Sequence, residues 1–338
     1  MEEAEMYEKE IKSGFLFDGK RGKMKFSDCK VSTKTVMAYT NVTFDLKNIF
    51  VGLPVTETEY KVKRKSGIPD IKSVHAEEGS IVSLRHGNDF RGIVTNPEAA
   101  KNQTTKKYFL NQVTCILSVD GKNLHIMIFR GNFKIPGCRT EEQVKKTVDI
   151  LWKYISDIPD SFTLNEGEQH PNFFLETVMT NVDFTFGFTI DREVLNTVMN
   201  SAAYEDRVKI SRFEPTTNTQ VNIRMRSAIP DDFVYEVMVF EKHYDGWQRT
   251  IKYEKENKYI KRRKPKKHTT FMVFGSSKTI VSGKHKESME KAFDSFIQIV
   301  EENRELIEDK FLDEKKKKRT TKNQPPKEKN GKVKFIRS

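Results

Sequence analysis

The chain has 338 residues, of which 36% are hydrophobic, so it can hold two ordinary domains or two repeats and is not a fully disordered protein. No apolar run approaches the roughly 20 residues that a transmembrane helix needs, and residues 1–10 are acidic where a signal peptide is basic and then apolar. We therefore expect a soluble intracellular protein.

The net charge of +12 is concentrated in two tracts. Residues 315–338 contain eleven Lys or Arg and one Glu, and residues 250–268 contain nine and two, so the rest of the chain is mildly acidic. The C-terminal tract, with Pro325-Pro326, is either a disordered solvated tail or a phosphate-binding arm. The run from Lys261 to Lys267 also fits a nuclear localisation signal or a nucleic-acid patch.

The first half of the chain predicts strands followed by a long helix. Strand signals lie at Thr35 to Val42 and at His125 to Phe129, separated by a polar insert at about 55–107 that has its own strand-like core, Gly79 to Leu84. A capping box from Thr140 to Gln143 opens a helix. Its apolar positions recur at helical spacing: Val144, Val148, Leu151 and Ile155.

The second half repeats this pattern after a polar junction at residues 157–171. Thr177-Val178-Met179 and Thr180-Asn181-Val182 match the first strand, and Thr270 to Phe274 matches the later one. A helix from near Lys286 has the apolar stripe Ala292, Phe293, Phe296, Ile299 and Val300. Between Glu241 and Lys267, aromatic and basic residues alternate, which suits either nucleic acid or a long amphipathic hairpin.

Motifs for catalysis or metal binding are absent from the sequence. There is no P-loop, G-x-S-x-G, H-E-x-x-H or G-x-G-x-x-G, and His125 reads as a structural residue within an apolar strand. Cys29, Cys115 and Cys138 lack ligand spacing and read as reduced core residues. We expect no enzyme activity, no metal and no cofactor.

Several segments resemble the TATA-box-binding protein family. Thr43-Phe44-Asp45-Leu46-Lys47 is similar to the family's R-L-D-L-K, and Phe213-Glu214-Pro215 followed by Arg224-Met225 is similar to its Y-E-P and R-M. Phe271 to Gly283 resembles the L-L-I-F-V-S-G-K-I-V-L-T-G stretch. The resemblance covers about 30–312 apart from the two inserts, and its order and duplication carry it.

The first half is more similar to the divergent versions carried by large DNA viruses. Phe109 to Thr114 and Ile135 to Cys138 resemble the F-x-N-Q-x-T and T-G-C segments of that group, and the polar insert before Phe109 is similar too. A viral origin is therefore the expectation.

The resemblance implies an α+β fold, a duplicated saddle in which one curved antiparallel sheet comes from both halves and long helices lie on its convex face. The expected boundaries are an N-terminal extension (1–28), a first repeat (29–158, insert about 55–107), a linker (159–171), a second repeat (172–312, basic insert about 241–268) and a disordered basic tail (313–338).

The resemblance also implies that the concave face binds the DNA minor groove. The residues it transfers to that face are Thr33, Thr35, Met37, Met127, Thr177, Met179, Asn181, Met272, Ile280 and Ser282. Phe109, Phe129 and Phe274 take three of the four positions from which phenylalanine wedges unstack base steps, while Asn218 stands at the fourth, so one kink should be weaker. Basic residues near the rim positions are Lys134, Arg139, Arg224, Lys278 and Lys284.

The function so predicted is that of a transcription initiation factor that binds and bends A·T-rich promoter DNA. Its expected partners are double-stranded DNA, a factor resembling transcription factor IIB and an RNA polymerase, with no membrane or small-molecule substrate. A viral version would act in the host nucleus, in a cytoplasmic viral factory or in the virion, and a cellular version would act in the nucleus. The alternatives are a non-specific architectural DNA-binding protein, a degenerate saddle acting as a protein-interaction scaffold, and an accessory module of an enzyme.

Overall fold

The computed structural model describes residues 24–63, 69–95, 109–216, 219–227, 234–255 and 268–310. The strands of the first half are β1 (Lys30–Thr40), β2 (Val42–Phe44), β3 (Lys61–Val62), β4 (Pro69–Asp70), β5 (Ile81–His86), β6 (Asp89–Gly92), β7 (Gln112–Val119), β8 (Lys122–Phe129) and β9 (Asn132–Cys138). Those of the second half are β10 (Phe162–Leu164), β11 (Asn172–Thr185), β12 (Val208–Arg212), β13 (Gln220–Arg226), β14 (Tyr235–His243), β15 (Gly246–Glu254), β16 (His268–Phe274) and β17 (Lys278–Gly283). The helices are α1 (Leu46–Gly52), α2 (Glu141–Ser156), α3 (Arg192–Met199), α4 (Lys286–Glu302) and α5 (Arg304–Ile307).

A single antiparallel sheet of thirteen strands runs through both halves, in the order β12-β13-β16-β17-β11-β1-β9-β8-β7-β5-β6, with the β14–β15 hairpin joined to β11. In each half, the first strand lies at the centre of the sheet and its last strand lies beside it. The earlier strands then follow outward in reverse chain order, apart from β6 at the edge. β1 and β11 pair antiparallel from Lys30↔Asp183 to Thr40↔Phe173. The halves are therefore arranged about an approximate twofold axis at this pair, and the predicted α+β class with one large antiparallel sheet is confirmed.

Apolar stripes on the helices cover one face of this sheet, which we call the helix side. In the first half, Val148, Leu151 and Trp152 of α2 join a buried core with inward residues of β1, β7, β8 and β9. In the second half, the rings of Phe296 on α4 and Phe271 on β16 stack with centroids 4.3 Å apart. Both predicted long helices thus form, because each must bury its stripe against strands.

Capped helix starts show how the two halves correspond. The Thr140 side chain accepts the Gln143 N–H at 3.1 Å, which opens α2 as the capping box predicts. Asp45 caps α1 and Asp191 caps α3 in the same way. Each of these two aspartates begins the first helix after the long first strand of its half. They therefore align the first half with the second and make β11 the equivalent of β1.

Part of the predicted first insert belongs to the central sheet. β5 pairs with β7, which is the position that β12 holds beside β13 in the second half. Another part covers the face of the sheet opposite the helix side. There Val74 packs with Val82, Ile93 and Ile116 in a small separate core. The insert therefore supplies one strand of the repeat as well as added structure.

The β14–β15 hairpin confirms the amphipathic-hairpin interpretation of the aromatic tract. β14 pairs with residues 172–175 of β11, beyond the end of β17. The hairpin packs on α2, where the Trp247 and Trp152 rings lie 5.2 Å apart and Arg249 forms an ion pair with Asp149. The basic run from Lys261 to Lys267 lies outside the described residues.

The junction between halves is held by a buried asparagine. The Asn41 side chain is fully buried; its amide donates to the His170 carbonyl oxygen at 2.8 Å, and its oxygen accepts the Asn172 N–H at 2.8 Å. Both polar ends of the amide therefore have partners across the linker.

The cysteines are reduced, but only two of them are core residues. Cys115 and Cys138 are buried, as expected. Cys29 is instead half-buried, beside Met24 at the start of the described chain. None of the described helices has the length and apolar character needed to cross a membrane.

Candidate nucleic-acid interface

The face opposite the helices, called the open face, carries the alternate residues of the sheet strands. On β11, Val182 and Phe184 are buried on the helix side, so Asn181 and Asp183 point the other way. On β16, Phe271 and Val273 are buried in the same core. The intervening residues of each strand therefore lie on the open face.

The centre of the open face comes from β1 and β11. Thr33 pairs with Asn181, and Thr35 pairs with Met179, whose side chain is 40% exposed. Met37 follows two residues after Thr35 on the same face. The structure therefore brings these five predicted residues together.

Thr177 does not share that face. β11 has a bulge at Val178, since Thr35 pairs with Met179 but Val36 pairs with Thr177. A bulge shifts the alternation by one residue, so Thr177 joins the core residue Val36 on the helix side and lines a cleft with Val144. The predicted position of Thr177 in the groove-facing set is a misplacement caused by this bulge.

The second half contributes three rows of open-face residues. Asn181, Ser282, Thr270 and Arg224 form one, and Asp183, Ile280, Met272 and Asn222 form the next. Ser282 Oγ donates to Asn181 Oδ1 at 2.6 Å, which leaves the Asn181 amide hydrogens directed to other acceptors. Phe274, opposite Gln220, and Lys278, opposite Thr185, extend the face toward the end of the strands.

The first half contributes matching rows. Met37, Lys134, Met127 and Thr114 lie side by side, and Phe129 stands between Asn132 and Gln112 in the next row. Phe129 is half-buried within the sheet.

Phe109 and Leu110 form an exposed apolar tip just before β7. Their side chains are 74% and 73% exposed. The Leu110 carbonyl oxygen lies 3.1 Å from Nε2 of His86. The Leu110 side chain packs so closely on Gly87 that a Cβ added at Gly87 would lie 2.7 Å from it. Gly87 also has a positive φ, a backbone conformation that favours glycine at this turn.

The predicted basic residues fall into different settings. Arg224 and Lys278 are exposed on the open face, and Arg139 is exposed at the start of α2. Lys134 lies within the face, not at its rim. Lys284 is paired with the buried Glu176 carboxylate, so its charge is neutralised locally.

Three open-face residues were not singled out for this face by sequence. His125 lies there, and partial burial of its ring lowers its pKa below the usual value, which keeps the imidazole neutral at pH 7. Tyr39 and Asp183 also lie there. Each stands between buried neighbours, and only the sheet register shows that it faces away from the helices.

Within the described ranges, no three His, Cys, Asp or Glu side chains converge closely enough to hold a metal ion. Asn218, at the fourth expected wedge position, lies outside the described residues. The chemistry that the described residues present is a sheet face, covered by the insert only around Ile116, with apolar, hydroxyl, amide and cationic groups.

Comparisons with known proteins found no family model that matches the chain. The uncharacterized protein 335L of Invertebrate iridescent virus 6 is 25% identical over 201 residues, which is 53% of this chain and 55% of that protein, so the match spans about half the length of each. Among solved structures, the TBP of Methanococcus jannaschii aligns with a TM-score of 0.41 and 12% identity, covering 81% of this chain and 98% of that one.

Proposed function

We propose that the open face binds double-stranded DNA in the minor groove, at A·T-rich promoter sites, and bends it. The observation that supports this most is that both halves contribute equivalent rows of side chains to one face, with α1 to α5 packed on the other side, while insert residues around Val74 cover only the part of the face at Ile116. A face of this kind can cover several base pairs of a duplex at once.

The side chains suit a minor-groove floor. In A·T pairs that floor offers only acceptor atoms, and it is shallow enough for modest apolar groups to cover. Met37, Met127, Met272 and Ile280 supply apolar contact, and the Asn181 amide can donate hydrogen bonds, whereas Thr35 is only 7% exposed. Arg224 and Lys278 would neutralise phosphates and make the affinity depend on salt.

The exposed apolar tip supplies the side chains that would bend the duplex. Phe109 and Leu110 project from the end of the first half, and Phe129 lies near them on the open face. Apolar side chains inserted between base steps unstack and kink a duplex. The equivalent position of the second half, just before β13, falls at Asn218, outside the described residues, so the asymmetric bend is proposed from the sequence alone.

Bending of promoter DNA is the role of an initiation factor, and we extend the proposal to that role. The helix side would remain free to contact a factor resembling transcription factor IIB and an RNA polymerase. A viral protein of this kind would act in the host nucleus, in a cytoplasmic viral factory or in the virion. The proposal includes no catalytic step.

The test is a gel-shift and bend measurement on A·T-rich and G·C-rich duplexes at several salt concentrations. Phe129→Ala with Phe274→Ala should weaken binding and reduce the bend, while Leu306→Ala, an exposed apolar residue on α5, should change neither. Equal affinity for both duplexes with a steep salt slope would favour the architectural alternative. Binding that survives the double substitution would favour the scaffold alternative, and failure to bind any duplex at low salt would refute the proposal.

A further inference from the structure

We propose that the open face reads the direction of its DNA site, with Asp183 selecting a G·C pair under the second half and Lys134 selecting A·T pairs under the first. This inference rests on the proposed minor-groove function. It concerns two charged side chains that occupy the same row of the two repeats but carry opposite charge.

The row in the first half presents a cation. Lys134 of β9 lies between Met37 of β1 and Met127 of β8. Its chain neighbours Phe133 and Ile135 are fully buried on the helix side, so the Lys134 side chain lies on the open face. Among the described residues, no side chain forms a hydrogen bond or ion pair with its ammonium group. Three hydrogen-bond donors and no acceptor are thus available there.

The equivalent row in the second half presents a carboxylate. Asp183 of β11 takes the place of Met37, and Ile280 and Met272 take those of Lys134 and Met127. Val182 and Phe184, on either side of Asp183, are buried on the helix side. In the second half, Ile280 therefore stands where the first half has Lys134, and the carboxylate of Asp183 lies on the neighbouring strand.

Hydrogen bonds orient the groups around Asp183. Ser32 Oγ donates to Asp183 Oδ1 at 3.0 Å, which leaves the lone pairs of Oδ2 as acceptors, with Lys30 of β1 directly opposite Asp183 in the sheet register. Two residues earlier on the same strand, Asn181 is held by Ser282 with its amide hydrogens available. The second half thus presents a donor and an acceptor about 7 Å apart along one strand.

The chemistry of the groove floor separates the two rows. Every base pair offers acceptors there, but only G·C adds a donor, the 2-amino group of guanine. An ionised carboxylate can only accept, so beside A·T it would face acceptors without a partner, whereas beside G·C it gains a charge-assisted hydrogen bond. Lys134 can only donate: an A·T pair offers it acceptors alone, whereas a G·C pair also sets the guanine 2-amino donor against it. Lys134 and Asp183 are roughly 20 Å apart by strand spacing, so they meet different base pairs.

The experiment scans a guanine through each position of an otherwise A·T-rich duplex and repeats the scan with inosine. Inosine pairs with cytosine but lacks the 2-amino group, so the ratio of the two dissociation constants reports that group alone. For the unaltered protein we expect guanine to bind about tenfold tighter than inosine at a position in one half of the site, and not at the mirror position. Asp183→Ala should bring that ratio close to one. Asp294→Asn, an exposed carboxylate on α4, is the control and should leave it unchanged.

Lys134→Met tests the other row, because methionine matches its neighbours Met37 and Met127. The variant should lose affinity for duplexes that are A·T-rich under the first half, and the guanine-to-inosine ratio should persist. A ratio near one at every position, or a ratio that Asp183→Ala leaves intact, would overturn the inference while duplex binding itself still supports the proposed function. Absence of any duplex binding would overturn both.

Discussion

Replacing Phe109 with alanine should separate DNA binding from stability. The side chain is 74% exposed, so its loss should alter the free energy of unfolding by less than about 0.5 kcal/mol. A phenylalanine presents up to about 200 Å² of surface, so roughly 150 Å² remains for a duplex to cover. At about 25 cal/mol per Å² this burial is worth ~3 to 4 kcal/mol. Unstacking a base step costs a few kcal/mol, which leaves a net gain of about 1 to 2 kcal/mol.

The Phe109→Ala protein should therefore have a roughly tenfold larger dissociation constant for an A·T-rich duplex, with an unchanged thermal midpoint. Fluorescence anisotropy measures the first quantity and thermal denaturation the second. Phe133→Ala is the matched control, because Phe133 is fully buried on the helix side and its loss should lower stability by about 3 to 5 kcal/mol. Unchanged affinity and bend angle in a folded Phe109→Ala protein would show that the tip does not enter the duplex.

Three further predictions concern stability, each followed by chemical denaturation. Trp247→Ala should cost about 2 kcal/mol because it removes the ring that packs on Trp152, whereas loss of the fully exposed Tyr244 should cost nothing; equal costs would refute the docking of the hairpin. Burial raises the pKa of Asp149 from 3.8 to about 6, so the wild type should lose stability relative to Asp149→Asn as the pH rises from 4 to 6, and a constant difference would contradict this. Asn41→Ala should cost about 1 to 2 kcal/mol, since it removes the partner of two part-buried backbone groups, the His170 carbonyl and the Asn172 N–H, and a neutral effect would mean that the linker rearranges.

The helices and strand cores follow from sequence because their signals are local. The stripe from Val144 to Ile155 and the cap at Thr140 specify α2 without knowledge of its partners. The stripe from Ala292 to Val300 does the same for α4. Such elements are decided within a few turns of chain, so they can be predicted wherever they sit.

The open face was harder to predict because it depends on register between distant strands. Thr177 was assigned by simple alternation, but the bulge at Val178 reverses the face on which it lies. Asp183, between two buried apolar residues, has the pattern of any half-exposed strand. Only its pairing with Ile280 places it in the row equivalent to that of Lys134.

The edge of β11 shared by β17 and β14 has a consequence for how such a protein can acquire new parts. β17 pairs with residues 180–185 of β11, and β14 pairs with residues 172–175. The hairpin therefore hydrogen-bonds a stretch of β11 that no strand of the repeat pairs on that edge. An insertion at this place adds hydrogen bonds without displacing any strand of either half. Relatives with the same duplicated core can therefore gain, lose or exchange this hairpin while the rows of the open face stay unchanged.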